Sequence, residues 1–124
     1  MSTFPELIVN PLFSGFLFTG LVFIISGWYL KKNPPADINS LYGYRTNSSM
    51  KSQERWDFAQ IHGAKQLVNT GIILCLMSLA SLLFLLFFQL SMPVSLIVFV
   101  AILLLCSIVM IVKVEIAIKR KFGT

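Results

Sequence analysis

A chain of 124 residues has room for one domain, and 56% hydrophobic against 12% charged residues excludes an ordinary soluble one. Soluble domains carry about 25% charge, whereas here the apolar residues, eleven phenylalanines among them, come in long uninterrupted blocks. The net charge of +5 reads as the basic excess of a membrane protein's cytoplasmic side, not as a nucleic-acid footprint.

The first apolar block, Leu12 to Leu30, would rise about 28 Å as a helix, close to the hydrocarbon thickness of a bilayer. Trp28 and Tyr29 close it with interfacial aromatics and Lys31-Lys32 follow as a stop. The residues before it include Glu6 and no basic residue, and no small-x-small site follows, so it reads as a retained helix and not a cleaved leader. Pro34-Pro35 then forbids continuation, and the polar stretch from Asn33 to about Ser52 reads as an ordered loop. Ser52 is a candidate N-cap with Glu54 in the first turn, where the helix dipole favours an anion. Trp56, Ala59, Gly63 and Leu67 recur at helical spacing, which makes 33–66 a segment with an amphipathic helix leading into the second span.

The second span covers about 67–88. Gln89 to Met92 forms a short turn, and the third span covers 93–112 with Pro93 in its first turn, where proline is tolerated. So short a turn makes spans two and three an antiparallel hairpin. The expected fold is a single all-α membrane domain with three transmembrane helices (about 12–30, 67–88 and 93–112) and an amphipathic cytoplasmic segment leading into the second. Six basic residues (Lys31, Lys32, Arg45, Lys51, Arg55, Lys65) lie between spans one and two, and four (Lys113, Lys119, Arg120, Lys121) follow span three. The rule that basic residues stay inside then places the N-terminus outside, and the loop and C-terminus in the cytoplasm.

Gly63, Leu67, Gly71, Cys75 and Ser78 form a small-residue stripe on span two, and Gly20 and Gly27 give span one a matching groove; close helix packing is the favoured reading. Cys75 and Cys106 lie in apolar runs without metal-ligand spacing and read as small buried residues, and no metal or cofactor is implied. No charge lies deep in any span, which disfavours ion-coupled transport. Glu115 reads as one half of an ion pair on its own helix with Lys113 or Lys119. His62 stands near Asp57 and Arg55 without a second histidine or a nucleophile, so no catalytic set emerges.

The candidate functional surface lies in the loop and the helix after it: Asn39, Tyr42, Gly43, Tyr44, Arg45, Thr46, Trp56 and Lys65. Gly43 permits a tight backbone between two aromatic rings, and Arg45 presents a planar fork suited to phosphate or carboxylate. Thr46, Ser48 and Ser49 place hydroxyls before a helix N-terminus. The order N-x-x-Y-G-Y-R-T, a Ser-Met pair, W-x-x-A, then G-A-K entering an apolar helix resembles the SdpI family of bacterial membrane proteins. The resemblance implies a non-enzymatic immunity protein that protects the bacterial cytoplasmic membrane against a secreted toxic peptide, engaged directly or indirectly. It also implies membrane lipids as surroundings and, as in the best-known member, a cytoplasmic repressor as a partner in signalling. The rival readings are a small transporter, which would need a homo-oligomer because three helices enclose little, and a protein or enzyme acting on lipid headgroups. Nucleic acid is not expected as a partner.

Overall fold

The computed structural model describes residues 3–123. Among them lie the helices α1 (Phe4–Val9), α2 (Pro11–Lys32), α3 (Gln53–Phe87) and α4 (Met92–Phe122), with one 3-10 turn at Ser49–Lys51. The last three α-helices are long and apolar enough to cross a membrane. The protein is an all-α, multi-pass membrane protein, as the composition requires.

Local chemistry sets the helix ends. Asn10 caps α2, its side chain accepting from the Leu12 N–H, and Pro11 sits in the first turn, where its missing donor does no harm. The α2 helix stops at Lys32, ahead of Pro34-Pro35. Ser52 caps α3 through the Arg55 N–H, with Glu54 in the first turn. Four residues, Phe88 to Ser91, join α3 to α4, and a connection that short forces the two helices antiparallel.

Two features differ from the sequence expectation. The short helix α1 was not anticipated; it is held by a capping box in which Thr3 and Glu6 bond reciprocally. The other difference is the length of α4, which runs past the expected end at 112 to Phe122. The amphipathic segment does lead directly into the second span, as the first turns of α3, whose 35 residues span about 52 Å. The 31 residues of α4 reach about 46 Å. Both exceed a hydrocarbon core of about 30 Å. The start of α3 and the end of α4 therefore continue past their apolar stretches as a paired stalk. Ala59, Val114 and Ile118 are buried along its seam.

The tightest packing joins α2 to α3. A Cβ on Gly71 would stand 2.6 Å from the Gly20 carbonyl oxygen, and one on Gly27 would stand 2.8 Å from the Ala64 carbonyl oxygen. The Ser78 hydroxyl donates across the same interface to the Phe13 carbonyl at 2.8 Å. In lipid the hydrophobic effect does not hold helices together, so backbone approach and interhelical hydrogen bonds must do so. The small-residue stripe is this seam. The α4 helix packs more lightly, its Phe99 ring edge-on to Phe16 at 5.1 Å and the Asn10 amide donating to the Ser95 hydroxyl at 3.1 Å. Its apolar side chains mostly face outward, Ile97 being 69% exposed.

The glycines of α2 and α3 differ in what surrounds them. At Gly71 an added Cβ meets backbone, whereas at Gly15 it meets only the Phe99 ring, at 2.9 Å, which can turn. Gly71→Ala is expected to destabilise the protein by about 1–3 kcal/mol, the usual range for overpacking, and Gly15→Ala by clearly less. Denaturation in mixed micelles checks the order, and equal losses would refute the assignment of the seam.

Candidate functional site

The loop between α2 and α3 is fastened at three places. Near its start, the indole N–H of Trp56, fully buried, donates to the Pro35 carbonyl at 2.8 Å. At its centre, the Gln60 side-chain amide grips the backbone of Tyr44 from both sides. Its oxygen accepts from the Tyr44 N–H at 2.7 Å and its nitrogen donates to the Tyr44 carbonyl at 2.9 Å. Gln60 is only 1% exposed, so an unfilled amide there would be costly.

Gly43 makes this clamp possible. Its φ of +107° lies in the region that L side chains rarely adopt. A Cβ there would also fall 2.5 Å from the Gln60 side-chain oxygen and 2.8 Å from the Pro35 ring.

The third fastening reaches α4. Glu115 accepts from the Tyr44 hydroxyl at 2.8 Å and from the Thr46 hydroxyl at 2.7 Å, both on the same carboxylate oxygen. The expected ion pair with Lys113 or Lys119 is replaced by this latch. The loop lies over the carboxylate, and two hydroxyls reach it where flexible lysines do not. Burial raises the pKa of the Tyr44 phenol above its ordinary value of 10, and the hydrogen bond to Glu115 and its charge push the same way. Ser49, fully buried, accepts from the Thr46 N–H at 2.9 Å and its own N–H donates to the Thr46 hydroxyl at 3.2 Å.

Beneath the loop lies a cavity of about 500 Å³ with largely apolar walls. Ile25, Ser26, Tyr29 and Leu30 of α2, Gly63 and Leu67 of α3, and Met110 and Val114 of α4 form its sides, and Tyr42, Gly43 and Tyr44 close its end. Ile25 and Tyr29 are more than half exposed, which puts the mouth on the side where α2 and α4 part. The Tyr42 ring meets Tyr29 edge-on at 6.4 Å. The Tyr44 side chain lies against Gly63, whose missing Cβ leaves it room.

The structure thus brings Tyr42, Gly43 and Tyr44 to the cavity and Thr46 to the latch beside it. Trp56 and Asn39 shape the loop instead; the Asn39 side chain accepts from the N–H groups of Leu41 and Tyr42, both at 2.9 Å, in an Asx turn. Arg45 is exposed and donates to the Ser40 carbonyl within the loop. Lys65 is exposed on a different face of α3, in a groove with Lys31 and Pro34. His62 stacks on Phe58 at 3.9 Å, and Asp57 accepts from Gln53 at 2.8 Å. Sequence reasoning missed Gln60. Its signal was available, since a polar residue stands between Trp56, Ala59 and Gly63 on the face that is buried.

The model of the SdpI/YfhL protein family matches residues 36–113, from within the loop to the end of the apolar part of α4. The chain belongs to this family. Over 65 residues it is 42% identical to the uncharacterized protein YfhL of Bacillus subtilis (strain 168). That stretch is 49% of this chain and 59% of the relative's length. No solved structure matches. Within this SdpI/YfhL chain the Gln60 clamp falls inside the matched residues, whereas the α2 wall of the cavity precedes them and Val114 and Glu115 lie just beyond them.

A raised phenol pKa means that the Tyr44 donor bond stabilises loop docking fully below pH 10 and loses its contribution as pH rises through the folded value. Docking is therefore expected to be flat between pH 6 and 9. One phenol should titrate later than the others, and Glu115→Ala should bring it back toward 10. Ultraviolet difference titration reads this directly. Gln60→Ala should expose residues 36–52 to faster amide exchange, since it leaves the half-buried Tyr44 N–H unpaired at about 1–3 kcal/mol and leaves the Tyr44 carbonyl only the Ser49 hydroxyl, at 3.2 Å. Exchange unchanged from wild type would show that the clamp does not hold the loop.

Proposed function

We propose that this chain is a non-enzymatic immunity protein of a bacterial cytoplasmic membrane, protecting it against a secreted antimicrobial peptide. In this reading the N-terminus is outside, and the loop and C-terminus are cytoplasmic, following the distribution of basic residues. Membership of the SdpI/YfhL family supports it. The observation that carries it is the position of Tyr42, Gly43 and Tyr44 at the end of an apolar cavity whose other walls are transmembrane helices.

A toxin that arrives from outside does not meet a cytoplasmic loop through the aqueous phase. A cavity open sideways removes that difficulty. A peptide already partitioned into the bilayer reaches it between α2 and α4 through the apolar phase. Its volume of about 500 Å³ falls within the range of ligand pockets, about 300–1,000 Å³, enough for one or two large apolar side chains. Arg45, whose guanidinium is exposed, offers its remaining donors to a peptide carboxylate or lipid phosphate at the same end. The acid–base candidates support a binding role and not catalysis: His62 packs on Phe58, and Asp57 is tied to Gln53 on the stalk. Through the latch on Glu115, filling the cavity would act on the loop's outer face, where a cytoplasmic repressor would be captured.

The test is survival and membrane potential of a sensitive bacterium producing the protein, challenged with the family's toxic peptide and a panel of similar membrane-active peptides. Wild type, Arg45→Ala and the cavity-filling Met110→Trp are compared at matched membrane levels. Wild type should protect. Each variant should lower the tolerated peptide concentration by about tenfold, the equivalent of about 1.4 kcal/mol of binding. Protection retained in Met110→Trp would remove the cavity from the mechanism. Absence of protection against every peptide would remove immunity itself.

A further inference from the structure

A second concavity lies at the same end of the bundle, on the opposite side of α4 from the latch. It is a groove of about 600 Å³ between α3 and α4, lined by Gln66 of α3 and by Lys113, Ile116, Ala117, Arg120 and Lys121 of α4. The lining holds three cations and no acidic residue. The one carboxylate on this part of α4, Glu115, faces the loop and accepts Tyr44 and Thr46.

We infer that this groove holds the phosphate headgroup of an anionic phospholipid from the surrounding leaflet. The cations are spaced for it. Lys113 and Arg120 are two helical turns apart, about 10 Å along the axis, so they flank a headgroup from either end. Among the described residues neither has a hydrogen-bond or ion-pair partner, so both charges are free to meet a ligand. Lys121 is held in place: its ammonium lies 4.5 Å from the Phe58 ring centroid and 5.3 Å from that of Phe122. Gln66 supplies an amide donor from the opposite helix.

The level of the groove favours a lipid over a soluble anion. Lys113 is the first charged residue after the long apolar run of α4, so it sits where hydrocarbon gives way to headgroups. One turn to the membrane side of Lys113, Val109 is 43% exposed and gives acyl-chain carbons an apolar surface below the phosphate, while Ile116 lines the groove between the cations. Basic pockets between transmembrane helices are a recurrent way of holding anionic headgroups.

The experiment uses the full chain in nanodiscs of phosphatidylcholine containing a minor fraction of phosphatidylglycerol, with retained lipid read by native mass spectrometry after detergent extraction. The groove variant is Lys113→Gln with Arg120→Gln. The control is Lys51→Gln with Lys119→Gln, which removes the same charge from the loop and from another face of α4. All four side chains are exposed, and circular dichroism confirms that both variants fold. Wild type should retain phosphatidylglycerol in preference to phosphatidylcholine. The groove variant should lose about thirtyfold in that preference, the worth of two cations against an anionic surface, and the control, whose lysines lie outside the groove, clearly less. Equal losses in both variants would reduce the effect to a general positive field and overturn the site. Displacement of the lipid by millimolar inorganic phosphate would overturn it too, reassigning the groove to a soluble anion.

Discussion

The two hydrogen bonds from the Gln60 amide to the backbone of Tyr44 are the constraint on which the rest of the loop end depends. A loop between transmembrane helices ordinarily satisfies its backbone with water and wanders. Here one buried side chain supplies both the donor and the acceptor that a strand neighbour would have supplied, at a single residue. Only a left-handed glycine can bring Tyr44 to that side chain, and Gly43 is that glycine. With the Tyr44 backbone fixed, its ring must lie over Gly63 and its hydroxyl must point to α4, where Glu115 takes it. Fixing the backbone also places Tyr42 against Tyr29 and closes the cavity.

This arrangement couples parts of the protein that otherwise touch lightly. The α2–α3 interface is rigid because its glycines allow backbone contact. The α4 helix has no glycine seam near the cavity and is joined there by the Ala59–Val114–Ile118 contact with α3 and, through Glu115, by the loop. A wedge entering between α2 and α4 would therefore strain hydrogen bonds to the loop before it disturbed the α2–α3 pair. The weakest joint stands beside the cavity, where an occupant would be felt.

Much of the fold was legible because the bilayer permits so little else. Three apolar runs of about twenty residues can only be spanning helices, and Pro34-Pro35, Ser52 and Pro93 fixed ends that the structure reproduces to within one or two residues. Helix length beyond the membrane was less legible. The runs Gln53–Gln66 and Lys113–Phe122 are polar enough to read as surface segments, and only their mutual burial, Ala59 against Val114 and Ile118, makes them a stalk. The loop divided the same way. Gly43 and its flanking tyrosines were visible from residue type, because glycine between aromatics implies a tight backbone. Gln60 and Glu115 act across 16 and 71 residues of sequence, and no local pattern carries a hydrogen bond over that distance.

Arg45 shows how residue type can mislead about placement. A guanidinium beside hydroxyls before a helix suggests a preformed anion site, yet Thr46 and Ser49 spend their hydroxyls on Glu115 and on the turn itself. Arg45 turns outward and ties down the Ser40 carbonyl. The Thr46 hydroxyl already faces a carboxylate, so an anion would be met by the outward donors of Arg45 and not by the hydroxyls beside it. Another set of cations converges on the far side of α4, where no carboxylate lines the groove. Glu115 thus sorts the two faces of the stalk, one committed to holding the loop and the other left positive toward the membrane surface.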